Sequence, residues 1–162
     1  MQKRGQFSIS FSMIFSIIVI IAIVGIAFYV IRSFISLSKC TEISLFYNDL
    51  EEYIEEAWQS TIHQDIFPNE KYPATIPSGI ELVCFGNIAQ APQEYNNIKK
   101  AFINSNGNVF LYPPQKACDS SLSSIKLEHV KTNEFFCIPV RENRIELKTK
   151  RDQFEALVTL SR

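Results

Sequence analysis

The chain has 162 residues, 46% of them hydrophobic, and a net charge of −1 with 16 basic and 17 acidic side chains. That is room for one ordinary domain plus an anchoring segment. Because only Lys3 and Arg4 precede a charge-free stretch from Gly5 to Ile31, the remainder carries every acidic group and is net acidic, which argues against nucleic acid as a partner.

The chain opens with Lys3-Arg4-Gly5-Gln6-Phe7-Ser8, followed by the run FSMIFSIIVIIAIVGIAFYVI at residues 11–31. At 1.5 Å rise per residue such a run spans a hydrocarbon core of about 30 Å. Its many Ile, Val and Phe side chains contribute roughly −0.3 to −0.6 kcal/mol each near the bilayer centre, which outweighs the cost of Ser12 and Ser16. The apolar stretch exceeds a secretory signal's usual 7 to 15 residues, and no small-x-small cleavage pattern follows it before Arg32. The expected anchor is a single membrane-spanning helix, with membrane lipid as its partner.

The basic-Gly-Gln string resembles the class III signal peptide of archaeal type IV pilin-like proteins. The resemblance covers about the first 30 residues. It implies that a prepilin peptidase-like enzyme on the cytoplasmic face cuts between Gly5 and Gln6, with Ser8 at the third mature position. It also implies a capacity for self-assembly or assembly with other pilins. At the fifth mature position, where many relatives carry Glu, this chain has Ser10. Ser8, Ser12 and Ser16 share one helix face, where small residues let helices approach closely in lipid; alternatively each hydroxyl bonds back to its own helix.

Basic residues flank the anchor on both sides, Lys3 and Arg4 before it and Arg32 and Lys39 after it, so charge alone orients it weakly. The free amino terminus and the processing motif favour a cytoplasmic N-terminus. All four cysteines, Cys40, Cys84, Cys118 and Cys137, follow the anchor, with no C-x-x-C pair and no zinc-ligand spacing. An even number in a small domain fits two disulfides in an oxidising, extracytoplasmic compartment. Cys84 and Cys137 both fall in strand-like segments, which favours Cys84 with Cys137 and Cys40 with Cys118 among the three possible pairings.

No Pro occurs after the anchor until Pro68 and no Gly until Gly79, so the helix is expected to continue through residues 32–66. Ile43, Phe46, Leu50, Tyr53 and Ala57 recur at steps of three and four, an amphipathic pattern, and Glu51, Glu52, Glu55 and Glu56 read as a solvated face. Residues 67–79, with three prolines, read as a loop. Strand patterns follow at 80–85, 109–112, 125–130, 135–140, 144–149 and 154–160, with a short helix at 93–103 and hairpin turns at Asn106-Gly107 and near Glu142-Asn143.

The expected organisation is a basic leader (1–5), a transmembrane helix (6–31), an amphipathic helix (32–66) and an extracytoplasmic sheet domain (67–162). The fold class is α+β, a long helix followed by a small antiparallel sheet, the form that the pilin resemblance also implies. His63 and His129 lie in different elements without a nucleophile motif, and no phosphate loop is present, so no catalytic residue, metal ligand or cofactor is expected. The functional expectation is a single-pass surface protein, a pilin-like subunit or minor pilin. The alternative is a signal-anchored binding module that does not assemble, and an anchored enzyme is the weakest reading.

Overall fold

The computed structural model describes residues 11–162; Lys3, Arg4, the Gly5-Gln6 junction, Ser8 and Ser10 lie outside them. It has two compact units, Met1–Ser36 and Leu37–Arg162. Helix α1 runs Phe11–Gln59. In the first unit its described side chains are solvent-exposed, Ile, Val and Phe included.

The second unit contains the rest of α1 and eight strands, so the chain is a long apolar helix followed by a small, mostly antiparallel β domain. The expected stripe is the buried face of α1: Ile43, Phe46, Leu50, Tyr53 and Ala57 are 2% exposed or less. Helical periodicity here reports burial directly, since residues three and four apart stack on one face.

The helix stops at Gln59, short of the expected residue 66, because His63–Phe67 forms a strand, β1. β1 pairs antiparallel with β7, Leu147–Arg151, from His63 against Arg151 to Phe67 against Leu147. The helix end is satisfied in two ways: Ser60 N–H and its hydroxyl both donate to the Glu56 carbonyl, and the Arg151 guanidinium donates to the carbonyls of Trp58 and Ser60. That arginine is 91 residues from Ser60 in sequence, so the stop signal is tertiary.

The remaining strands are β2 (Leu82–Phe85), β3 (Val109–Tyr112), β4 (Ser124–Ile125), β5 (Val130–Thr132), β6 (Phe136–Pro139) and β8 (Val158–Ser161). They build two four-stranded sheets rather than one: β1-β7-β8-β5, here the outer sheet, and β4-β3-β2-β6, the inner sheet. The β5–β8 pair is parallel. The expected strand 125–130 is split between the sheets, with His129 at φ 59° marking the bend. The segment expected to be strand at 154–160 pairs only from Val158 onward, and the expected helix 93–103 is a 3-10 turn followed by α2, Asn96–Ala101.

The two expected hairpins differ from the observed turns for separate reasons. Glu142 and Asn143 have φ of 50° and 60° between bridged Arg141 and Arg144, the backbone of a primed turn. That turn carries the chain from β6 in one sheet to β7 in the other. Asn106-Gly107 lies at the entry to β3, where a Cβ on residue 107 would come within 2.7 Å of the Ile125 carbonyl oxygen. Glycine serves close backbone approach there, not reversal.

The main core packs the α1 stripe against Phe67, Val83, Phe85, Val109, Leu111, Ile138, Leu147 and Leu160, drawn from both sheets. On its other face the inner sheet presents Cys84, Phe110 and Cys137 to Ile88, Ile98, Phe102 and Phe135.

Candidate functional site

The first candidate is the apolar segment of α1. It is long and apolar enough to cross a membrane, and none of its most apolar window is buried. Exposed apolar area costs about 25 cal/mol per Å² in water, so a run of 45–76% exposed Ile, Phe and Tyr side chains such as Ile14, Ile21, Phe28 and Tyr29 needs a nonaqueous surrounding. On the serine stripe, the Ser16 hydroxyl donates to the Ser12 carbonyl at 2.9 Å, a bond back to its own helix.

The second candidate is the cysteine set. Cys84 pairs with Cys137, with Cα atoms 4.0 Å apart on directly opposed residues of β2 and β6, and Cys40 on α1 pairs with Cys118, at 4.8 Å. This is the pairing that strand placement favoured. The first bridge is buried within the inner sheet, whereas the second ties the helix to the segment after β3.

Two polar clusters at the end of α1 had no sequence motif to announce them. Tyr53, His63 and Thr149 meet from α1, β1 and β7: the tyrosine and threonine hydroxyls lie 2.7 Å apart, and His63 Nε2 is 3.3 and 3.2 Å from them. Thr149 also donates to the Asp65 carbonyl. Nearby, the His129 ring stacks on Trp58 with centroids 3.8 Å apart, and its Nδ1 lies 3.0 Å from a Glu55 carboxylate oxygen. Trp58 Nε1 donates to the Ala156 carbonyl. Each cluster joins elements far apart in sequence, so only the periodicity of Tyr53 was visible beforehand. The hydroxyl, imidazole and indole groups are all engaged and act as ties between α1 and the β domain.

The acidic face of α1 is partly compensated. Lys71, at 2.6 Å, and the Tyr72 hydroxyl hold the Glu56 carboxyl below its usual range, and hydrogen bonds from Gln59 and then His129 do the same for Glu55. Among the described residues, no group of three or more His, Cys, Asp or Glu side chains is placed to hold a metal ion. A cleft of about 410 Å³ lies beside Gly86, Asn108 and Lys131, where Asn108 brackets Leu127 through both amide atoms and Lys131 pairs with Glu155.

Burial pushes the Tyr53 phenol up from its ordinary value near 10 to about 12, and burial raises Tyr47 further. A folded-state value above the unfolded one means the neutral phenol is preferred in the fold. The contribution is complete below pH 10 and is lost as pH climbs through the folded value. Alkaline unfolding is therefore expected between about pH 10 and 12. In a difference titration at 295 nm, Tyr47 and Tyr53 should ionise only together with loss of far-ultraviolet circular dichroism. Smooth ionisation of all six tyrosines near pH 10, with the fold intact, would contradict this burial.

Compared with protein-family models, with curated proteins and with solved structures, this chain matches none.

Proposed function

We propose that this chain is a non-catalytic, membrane-anchored surface protein whose β domain lies outside the cytoplasm, and that it acts as a pilin-like structural subunit or minor pilin. The observation that carries the anchor is the unburied apolar segment of α1. The two disulfides support an oxidising compartment for the domain and, with it, a cytoplasmic N-terminus. The Lys3-Arg4-Gly5-Gln6 string supports processing by a prepilin peptidase-like enzyme, and the long helix preceding a small β domain is compatible with that reading.

A signal-anchored binding module that never assembles is the second reading. It is favoured by Ser10, which stands where many relatives carry the glutamate credited with subunit alignment.

N-terminal sequencing of the mature membrane protein separates the two. A chain beginning at Gln6, with Gly5→Leu leaving the precursor uncut, is the expected result; a mature chain that retains Met1 removes the pilin-like reading. For topology, a membrane-impermeant maleimide on intact cells should label the cysteines only after reduction. Labelling that needs lysis but no reductant would place the domain in the cytosol.

A further inference from the structure

The two bridges have different surroundings. Cys84 and Cys137 are 0% and 7% exposed, and Ile88, Ile98, Phe102, Phe110 and Phe135 pack with them on one face of the inner sheet. A reagent reaches that sulfur pair only when the domain opens. Cys40 and Cys118 are both half-buried, and Cys118 stands in the wall of a cleft of about 800 Å³. One side of the cleft is formed by residues 100–105 at the end of α2, the other by the segment joining β3 to β4.

The wall that holds Cys118 is built mainly from small side chains, Pro114, Ala117, Ser121, Ser123 and Ser124. Charge in the cleft is one group of each sign, Lys100 and Asp119, so neither sign dominates the approach. Small, nearly neutral surroundings let a thiolate and the atoms that carry it come up to a disulfide sulfur, and exposed bridges are the ones that exchange.

Opening this bridge leaves other ties in place. The Tyr47 hydroxyl of α1 donates to the Leu122 carbonyl at 2.8 Å, and Ala117 and Leu122 pack in the main core. The stripe from Ile43 to Ala57 stays buried against both sheets without help from either sulfur.

We propose that Cys40–Cys118 is a thiol–disulfide exchange site for a dithiol reductant, whereas Cys84–Cys137 is a structural bridge closed to that reductant in the folded chain. One thiolate of the dithiol attacks Cys118 Sγ from the cleft. The Cys40–Cys118 bond breaks, and its electron pair leaves on Cys40 Sγ, which takes a proton from water. The second thiol of the reductant gives its proton to water, attacks its own sulfur in the mixed disulfide and releases Cys118 as a thiolate, which is protonated in turn. Two electrons have then passed from the dithiol, now a disulfide, to the protein, now holding two thiols. The segment at 113–123 loses its covalent tie to α1 while the core persists. The proposal goes beyond the surface-protein reading and needs neither processing nor assembly.

The test uses the full-length oxidised chain in detergent micelles without denaturant. One arm receives dithiothreitol, a second a reduced protein dithiol of the Cys-x-x-Cys type; free thiols are trapped with N-ethylmaleimide over time and located by peptide mass spectrometry. Cys40 and Cys118 should be trapped at least about tenfold faster than Cys84 and Cys137, with far-ultraviolet circular dichroism and Trp58 emission unchanged. Reaction in both arms supports exchange with a polypeptide partner, and reaction with dithiothreitol alone supports a small dithiol as the source. When the second cysteine of the protein dithiol is replaced by serine, the trapped mixed disulfide should lie on Cys118. Equal rates at all four cysteines, trapping of Cys40 and Cys118 only as the fold is lost, or a mixed disulfide on any other cysteine overturns the site.

Discussion

Ile20→Lys combined with Ile23→Lys should release the chain from the membrane pellet. Both side chains lie near the middle of the apolar run, 59% and 61% exposed. Each lysine costs about 2.5 to 3.5 kcal/mol near a helix centre, and each lost isoleucine removes a further ~0.3 to 0.6 kcal/mol, so the pair costs about 6 to 8 kcal/mol. The Ile, Val and Phe residues at 11–31 together supply about 4 to 8 kcal/mol on the same scale, so the double substitution removes the whole margin. After an alkaline carbonate wash the variant should be found in the supernatant or as aggregate, while Ile20→Val with Ile23→Val stays in the membrane. Retention of the lysine variant at the parental level would mean that the segment is held by something other than lipid.

What could be read from residues alone was whatever a local period encodes. The greasy run and the 43–57 stripe are helix signals at a spacing of three to four, and the alternation of Ile145 and Leu147 with charged neighbours is a strand signal at two, although the strand itself runs Leu147–Arg151. Those features need no knowledge of the rest of the chain. The end of α1 did need it: Ser60, Thr61 and Ile62 are tolerable in a helix, and only the ladder offered by β7 and the reach of Arg151 make a strand at His63–Phe67 the better use of those residues. The division into two sheets was hidden for the same reason, since a turn with Glu142 and Asn143 in the left-handed region reads as a hairpin until the partners of β6 and β7 are known. Most of the candidate site lay in this second category. His129 announces nothing at position 129; its place on Trp58 comes from a helix and a strand start brought together over 71 residues of chain.

Phe46→Ala should weaken the second unit by about 3 to 5 kcal/mol. The ring is 1% exposed and meets Phe67 from β1 and its own neighbour Tyr47 at 6.2 and 5.6 Å, in the seam where α1 touches the core. Alanine leaves a cavity that rigid elements close poorly, because the helix is tethered by the Cys40–Cys118 bridge and by the Arg151 cap beyond Trp58. A domain of this size holds about 5 to 15 kcal/mol in total, so the loss takes about a fifth of its stability or more. Trp58, the single tryptophan, sits against His129 and will report the unfolding by fluorescence in urea, in detergent and without reductant. With a urea slope of about 1 to 3 kcal/mol per molar, the midpoint should fall by at least about 1 M at unchanged slope. Leu45→Ala, one residue away but more than half exposed, should move stability by less than about 0.5 kcal/mol. Equal effects at the two positions would show that the 43–57 stripe is not the face on which the β domain is built.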